Sequence, residues 1–382
     1  MSQILIQEID LSKKSDLNRF VSLAWDIYKQ DPSWIPPLKM AVKDVLNVKK
    51  HPFYATAEVK AFIAVKNGRD VGRILAINNK SFNEFHQKRI MHFGFFEAID
   101  DFSVTEKLFD AVKKYAQDLA LVEIEGPVNP GTNYECGLMV QSPLEGPQIM
   151  MTYNPSYYAT HFEKLGLKKI KDLIAYKLNI VNKLPDIILK ISERTQKKSR
   201  VTFRNINLKK WNEELEILFD IYNQAWEKNW GFVPMTKAEF FHTAKDLKSI
   251  VDPNLVLIAE VDQKPAGFVL TLPDLNQVFK QIPSGNLSPL AIYKILTAKK
   301  RMTRCRVITM GVKKEFRKIG IETILYTESQ RAILDKTPYR EVELSWILED
   351  NLEMNAPIIR MGAEPYKHYR IYNSPLQTNE SI

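Results

Sequence analysis

Residues 63–75 read IAVKNGRDVGRIL and residues 258–270 read IAEVDQKPAGFVL. Each pairs an alanine with a glycine beyond a polar turn, Ala64 with Gly72 and Ala259 with Gly267, at a common offset of 195 (258 minus 63). Apolar–polar alternation on both sides of the turn predicts a β-hairpin in each. A second echo lies further on: FEKLGL at 162–167 and IIRMGA at 358–363 set Gly166 and Gly362 apart by 196 (362 minus 166). Each glycine falls where a helix ends in a left-handed residue and a strand begins. Two echoes at nearly one spacing indicate a duplicated domain.

Outward from these anchors, the halves follow similar orders. The first reads as strand 4–9, helix 15–30, hairpin 60–79, strand 91–99, helix 103–119, strand 122–128, helix 155–165 and strand 168–180. The second reads as strand 201–207, helices 211–229 and 236–249, hairpin 255–272, strand 304–312, helix 320–336, strand 341–348, helix 353–361 and strand 366–373. Helix 103–119 rests on the spacing of Leu108, Phe109, Val112, Tyr115 and Leu119, with Ser103 as its expected N-cap. The expected division is an N-terminal domain at 1–180, a connection at 181–200 and a C-terminal domain at 201–382. Pro185 and a basic KKSR end mark the connection, whose Ile187, Ile188, Leu189 and Ile191 are too apolar for a free tether. Each half has its own insertion, at 129–153 and at 273–303.

Composition narrows the function classes. The chain has 382 residues, 45% hydrophobic and 26% charged, ordinary values for a globular protein of two domains. Its net charge of +9 favours anionic partners, though no arginine-rich tail points to DNA. With Cys136 and Cys305 as its only cysteines it has no disulfide framework, and no apolar run approaches a membrane span. The N-terminal residues do not read as a signal peptide, so a cytoplasmic protein is expected. His51, His86, His92, His161, His242 and His368 are scattered without metal-ligand spacing, so no metal is expected.

From Val312 the chain reads VKKEFRKIGIETILY, a strand end, a basic loop with Gly320, and a helix. Backbone N–H groups at a helix start beside Lys313, Lys314, Arg317 and Lys318 suit a pyrophosphate. This segment resembles the phosphate loop of the GNAT superfamily of acyl-CoA-dependent N-acyltransferases, an Arg/Gln-x-x-Gly-x-Gly/Ala pattern. Arg317 and Gly320 match it, and Glu322 stands where a small residue is usual. The later Asn-x-x-Ala…Tyr-x-Lys-x-Gly pattern is echoed by Asn351, Met354, Ile358, Arg360 and Gly362, with Ile358 in place of the proton-donating tyrosine. The N-terminal counterparts are further off: carboxylates Glu97, Asp100 and Asp101 replace the loop, and Phe162 replaces the tyrosine.

The resemblance implies an α/β fold of two tandem GNAT-like domains, each a mixed, mostly antiparallel twisted sheet flanked by helices. It implies acyl-CoA as co-substrate, bound in the C-terminal half by Met310, Gly311, Val312, Arg317, Lys318, Gly320 and Ile321. Transfer to an amine needs a base, for which Glu349 and Asp350 are the candidates, with Asn351 orienting substrate or capping the next helix. Tyr326, Tyr366 and Tyr369 are the available replacements for the missing acid. The N-terminal loop offers Asn129, Asn133, Tyr134 and Glu135 for acceptor binding, and Trp230 and Phe232 an aromatic wall. Cys136 lacks the nearby histidine of an activated nucleophile. In the second insertion, residues 287–302 (LSPLAIYKILTAKKRM) set Leu290, Tyr293, Ile295 and Leu296 beside Lys294, Lys299, Lys300 and Arg301. Such a helix either lies at a membrane face, here the inner face, or packs on its own domain. The plan also resembles bacterial tandem members proposed as ceramide-synthase-type N-acyltransferases, which implies a long-chain acyl group moving to a sphingoid-base-like amine. Two other classes fit: a Fem-type transferase using aminoacyl-tRNA, and a degenerate GNAT-fold binding protein.

Overall fold

The structure is a computed structural model that describes residues 3–143, 145–180, 186–298 and 301–376. Pro185, Lys299 and Lys300 lie outside the described residues. The first half runs β1 (Ile4–Ile9), α1 (Lys14–Ile27), α2 (Lys39–Val45), β2 (Ala57–Lys66), β3 (Arg69–Asn79), α3 (Lys80–His86), β4 (Ile90–Ala98), α4 (Phe102–Asp118), β5 (Glu123–Gly126), β6 (Val128–Asn129), β7 (Glu135–Cys136), β8 (Leu138–Gln141), α5 (Tyr157–Lys164) and β9 (Lys168–Asn179). The second runs α6 (Asp186–Ser199), β10 (Val201–Asn205), α7 (Trp211–Ala225), α8 (Lys237–Leu247), β11 (Val256–Val261), β12 (Lys264–Pro273), α9 (Asn276–Phe279), α10 (Pro289–Ala298), β13 (Arg304–Val312), α11 (Ile321–Lys336), β14 (Glu341–Leu348), α12 (Leu352–Arg360) and β15 (Glu364–Pro375).

Both expected hairpins form, in matching register: Ala64 faces Gly72 and Ala259 faces Gly267, each with a bulge directly after the alanine. Their turns use left-handed pairs, Asn67-Gly68 in one and Asp262-Gln263 in the other, whose twist suits a two-residue hairpin. Both glycine helix stops also form. Gly166 (φ +79°) donates to Glu163 O while Leu167 donates to Phe162 O; Gly362 (φ +91°) donates to Ile359 O while Ala363 donates to Ile358 O. These are two copies of one Schellman motif. The N-cap of α4 is Asp101, whose carboxylate accepts from Ser103 N, rather than Ser103 as expected. A carboxylate at that position satisfies a donor and opposes the positive end of the helix dipole.

The chain divides into two compact units: residues 1–173, 279–291 and 367–382 in unit 1, and 174–278 and 292–366 in unit 2. These differ from the sequence halves, because each unit completes its sheet with a strand from the other half. In unit 1 the order is β1-β2-β3-β4-β5, and β15 then lies beside β5, with Tyr372 opposite Gly126. Helices α4 and α5 cover one face, burying Phe93, Phe96, Phe109, Phe162 and Tyr158 in a set of edge-to-face rings. In unit 2 the order is β10-β11-β12-β13-β14, with β9 beside β14. Ile321, Ile324 and Leu325 of α11 pack there on Ala259, Ala266, Val269, Met310 and Val312. The apolar connection segment is a helix, α6, whose Thr195 lies against Gly320 at the start of α11.

Candidate functional site

In unit 2, β13 and β14 are paired in parallel only over Arg304–Val307 and Glu341–Leu344. A bulge at Leu270/Thr271 then re-aims β13, which continues to Val312 paired with β12 alone. Lys313 N donates to Ala266 O, and Gly311 faces Phe268. Ladder alternation therefore turns the Met310 and Val312 amides to the edge that β14 has left. The result is a splayed, half-paired strand end with two backbone amides on its open edge.

The next element is α11, whose N-cap is Gly320 at φ +83°, with no side chain to accept from the first-turn amides. A Cβ there would lie 2.7 Å from Thr195 Cγ2, so both conformation and space require glycine. The helix start has no side-chain cap, and an uncapped helix start of positive dipole is a position that suits an anion. The basic residues around it divide in two. Lys313 pairs with Asp220 at 2.5 Å, and Arg317 donates to Val312 O at 3.2 Å and to Ala225 O at 2.5 Å. Arg317 thus braces the end of α7 against the loop, whereas Lys314 and Lys318 are exposed. Glu322 lies along the helix on the side of Tyr326, whose hydroxyl it helps to hold protonated after burial, the larger cause.

At the far side of the splay, Glu349 and Asp350 form the turn from β14 to α12, Glu349 half-buried and Asp350 exposed. Asn351 is the N-cap of α12, accepting from Met354 N at 3.2 Å, so capping accounts for it. The turn is clamped by Asn355, which donates to Leu348 O and Glu349 O and accepts from the Tyr176 hydroxyl. Ile358 is fully buried. Tyr326 donates to Met354 Sδ at 3.4 Å, which sets a phenolic proton between α11 and α12. Tyr366 bonds Glu343, while Tyr369 is buried in unit 1. Gly311 has a role the spacing did not reveal: its missing side chain accommodates the Trp226 indole, which a Cβ would meet at 2.3 Å. Phe232 is buried as core, and Cys136 and Cys305 are both buried.

Unit 1 has the same splay with its donors already used. β4 and β5 pair only over Ile90–His92 and Glu123–Glu125. Beyond that, Asn129 Oδ1 accepts from Phe95 N at 2.6 Å, and Val128 O comes so near Gly94 that a Cβ would lie 1.6 Å from it. Ala98 faces Gly72 as Val312 faces Gly267, and the Ala98 amide donates to the Tyr158 hydroxyl at 2.8 Å. Counting back from the helix-stop glycines, Tyr158 corresponds to Met354 (166 minus 158 equals 362 minus 354). The start of α4 is closed by its own Asp101 carboxylate, itself paired with Lys66 at 2.7 Å. Glu97 is buried between Arg73 and the Tyr28 and Tyr158 hydroxyls, and burial raises its pKa. Of the residues expected to bind an acceptor, Asn129 holds the Phe95 amide and Tyr134 packs on His51 and Phe53. Asn133 is half-buried and Glu135 exposed.

Two such units in one chain make up a tandem GNAT-like fold. A tandem GNAT protein of clavulanic acid biosynthesis superposes with a TM-score of 0.58 over 99% of this chain and 100% of its own, at 11% identity. The chain belongs to one family with two curated proteins. Protein YghO of Escherichia coli K12 is 35% identical over 95% of this chain and 94% of its own. The bacterial ceramide synthase of Caulobacter vibrioides is 34% identical over 96% of this chain and 97% of its own. No protein-family model matches the chain.

Proposed function

We propose that the protein is an acyl-CoA-dependent N-acyltransferase that works in unit 2, with unit 1 as its non-catalytic partner. The observation that carries this reading is the contrast in N-caps: glycine with no cap at α11, aspartate at α4. The α11 amides, with Lys314 and Lys318, would take the pyrophosphate, and Gly320 and Ile321 would bring the backbone close to it. The thioester carbonyl would lie on the Met310 and Val312 edge, where two N–H groups stabilise the oxyanion. Glu349, or Asp350 through water, takes a proton from the acceptor ammonium. The amine nitrogen then bonds to the carbonyl carbon, and collapse of the tetrahedral adduct breaks the C–S bond. Tyr326, whose phenolic proton lies between α11 and α12, would return a proton to the thiolate. Family membership with a protein named bacterial ceramide synthase supports a long-chain acyl group and a sphingoid-base-like amine as substrates.

The test is release of free CoA thiol from palmitoyl-CoA with sphingoid-base and simple amines as acceptors. Amine-dependent release, reduced in Lys318→Glu, is the expected result. Saturable CoA binding without release to any amine would favour the binding-protein reading, which the buried Ile358 also suits.

A further inference from the structure

α10 carries its apolar side chains on the wrong side for a core helix. Leu290, Tyr293 and Leu296, three residues apart, are 62%, 62% and 76% exposed, and Ile292 beside them is 45% exposed. The buried positions of the same helix are the small Ala291 and Ala298. An amphipathic helix packed on its own domain would place these residues the other way round. The charge along this segment of the chain has one sign. From Phe279 to Arg301 the sequence holds Lys280, Lys294, Lys299, Lys300 and Arg301 and no aspartate or glutamate. Leu287, just before the helix, is exposed as well. Among the described residues no helix is long and apolar enough to cross a membrane.

We propose that α10 is a membrane-docking helix that lies in the interface of an anionic lipid bilayer. Leucine and isoleucine enter the acyl boundary, Tyr293 sits at headgroup level, and the lysines and arginine meet lipid phosphates. A second copy of the chain is a poor occupant, because its own basic segment would be brought against this one. An apolar protein surface offers nothing to the basic residues of this segment. A lipid interface satisfies both the apolar stripe and the positive rim. The purpose of docking rests on the reading above, since a lipid amine resides in a membrane, but the binding itself does not.

The test is co-sedimentation of the full chain with vesicles of phosphatidylcholine containing about one-third phosphatidylglycerol, beside pure phosphatidylcholine. Leu290→Ser/Leu296→Ser and Arg301→Glu are the variants, each at an exposed position, so folding is checked by thermal unfolding and CoA binding by titration. Expected are partition to the anionic vesicles, weakened by salt, and a loss of at least about tenfold in the partition constant for the leucine pair. A smaller loss is expected for the charge reversal. Parent protein left in the supernatant, variants that bind as the parent does, or a dimer that the leucine variant abolishes would each overturn the proposal. Vesicle binding lost with CoA binding intact separates docking from the acyltransferase reading. Docking without any CoA binding would refute that reading and leave docking standing.

Discussion

Helices α4 and α11 begin at corresponding places in their units, and only α4 is capped by a side chain of its own. α4 starts with Asp101, whose carboxylate stands where a phosphate would, while α11 starts with Gly320 and no side-chain acceptor. The strand edges differ in the same sense. Ala98 N is bonded to Tyr158 and Phe95 N to Asn129, whereas the position of Tyr158 in unit 2 is occupied by Met354. A thioether is a weak acceptor and cannot take an amide bond as a phenol oxygen does. Duplication therefore left two copies of one splayed sheet, and unit 1 consumed its donors in self-bonding. A backbone donor buried with a partner stabilises the fold, and the same donor held for a ligand does so only when the ligand is bound.

Reversing both exposed lysines, Lys314→Glu/Lys318→Glu, should sharpen the comparison most. Affinity for CoA should fall about thirtyfold or more, with the thermal midpoint unmoved, because neither side chain is buried. Titration of CoA beside thermal unfolding checks it; unchanged affinity would break the contrast between the units. Arg317→Ala comes next and should act on both quantities. Its guanidinium joins two backbone carbonyls, so unfolding free energy should drop by about 1–3 kcal/mol as CoA binding weakens. A loss of affinity with no loss of stability would return this arginine to a purely phosphate role.

The two parallel ladders supply a third test. His92 faces Glu125 in unit 1, as Arg306 faces Glu343 in unit 2. The unit 2 pair is served by Ser345 and Tyr366. In unit 1, His92 Nε2 and Glu125 Oε1 are 3.8 Å apart, and both are buried without a hydrogen-bond partner among the described residues. Burial pushes the Glu125 carboxyl up to about 7 and His92 down to about 3. The contribution of Glu125 is full below its unfolded pKa, about 4.5, and is lost as the pH rises towards 7. That of His92 is full above its unfolded pKa, about 6.5, and is lost as the pH falls towards 3. Glu125→Gln should therefore gain stability over the parent as the pH is raised from about 4.5 to 7, read as denaturant midpoints. A pH-independent difference would contradict the assignment. Smallest of all, Asn129→Ala should cost about 1 kcal/mol by stranding the Phe95 amide, with CoA affinity unchanged.

The sequence made the repeated hairpins, the paired glycine stops and the α11 loop legible, because each rests on local spacing around a residue with special backbone freedom. It did not disclose the exchange of β9 and β15 between units, since alternation states which face a strand buries and not which strand lies beside it. Trp226 on Gly311 and Thr195 on Gly320 were hidden for the same reason: both contacts join residues far apart in the chain. The Tyr158–Met354 difference was readable in principle from the offset of 196, yet its meaning depends on a hydrogen bond to Ala98 that spacing does not encode. Asn351, expected to orient substrate or cap the next helix, is its cap, and Asn129, expected to bind an acceptor, accepts from the Phe95 amide.

The most direct measurement is amide hydrogen exchange of the whole chain with and without saturating CoA, alongside the stoichiometry of binding. Binding in unit 2 alone requires one equivalent of CoA, with slowed exchange at the start of α11 and along Met310–Val312 and no change at the start of α4. Two equivalents, or protection around Asp101 and Ser103, would contradict the division of the two units into one open and one closed site.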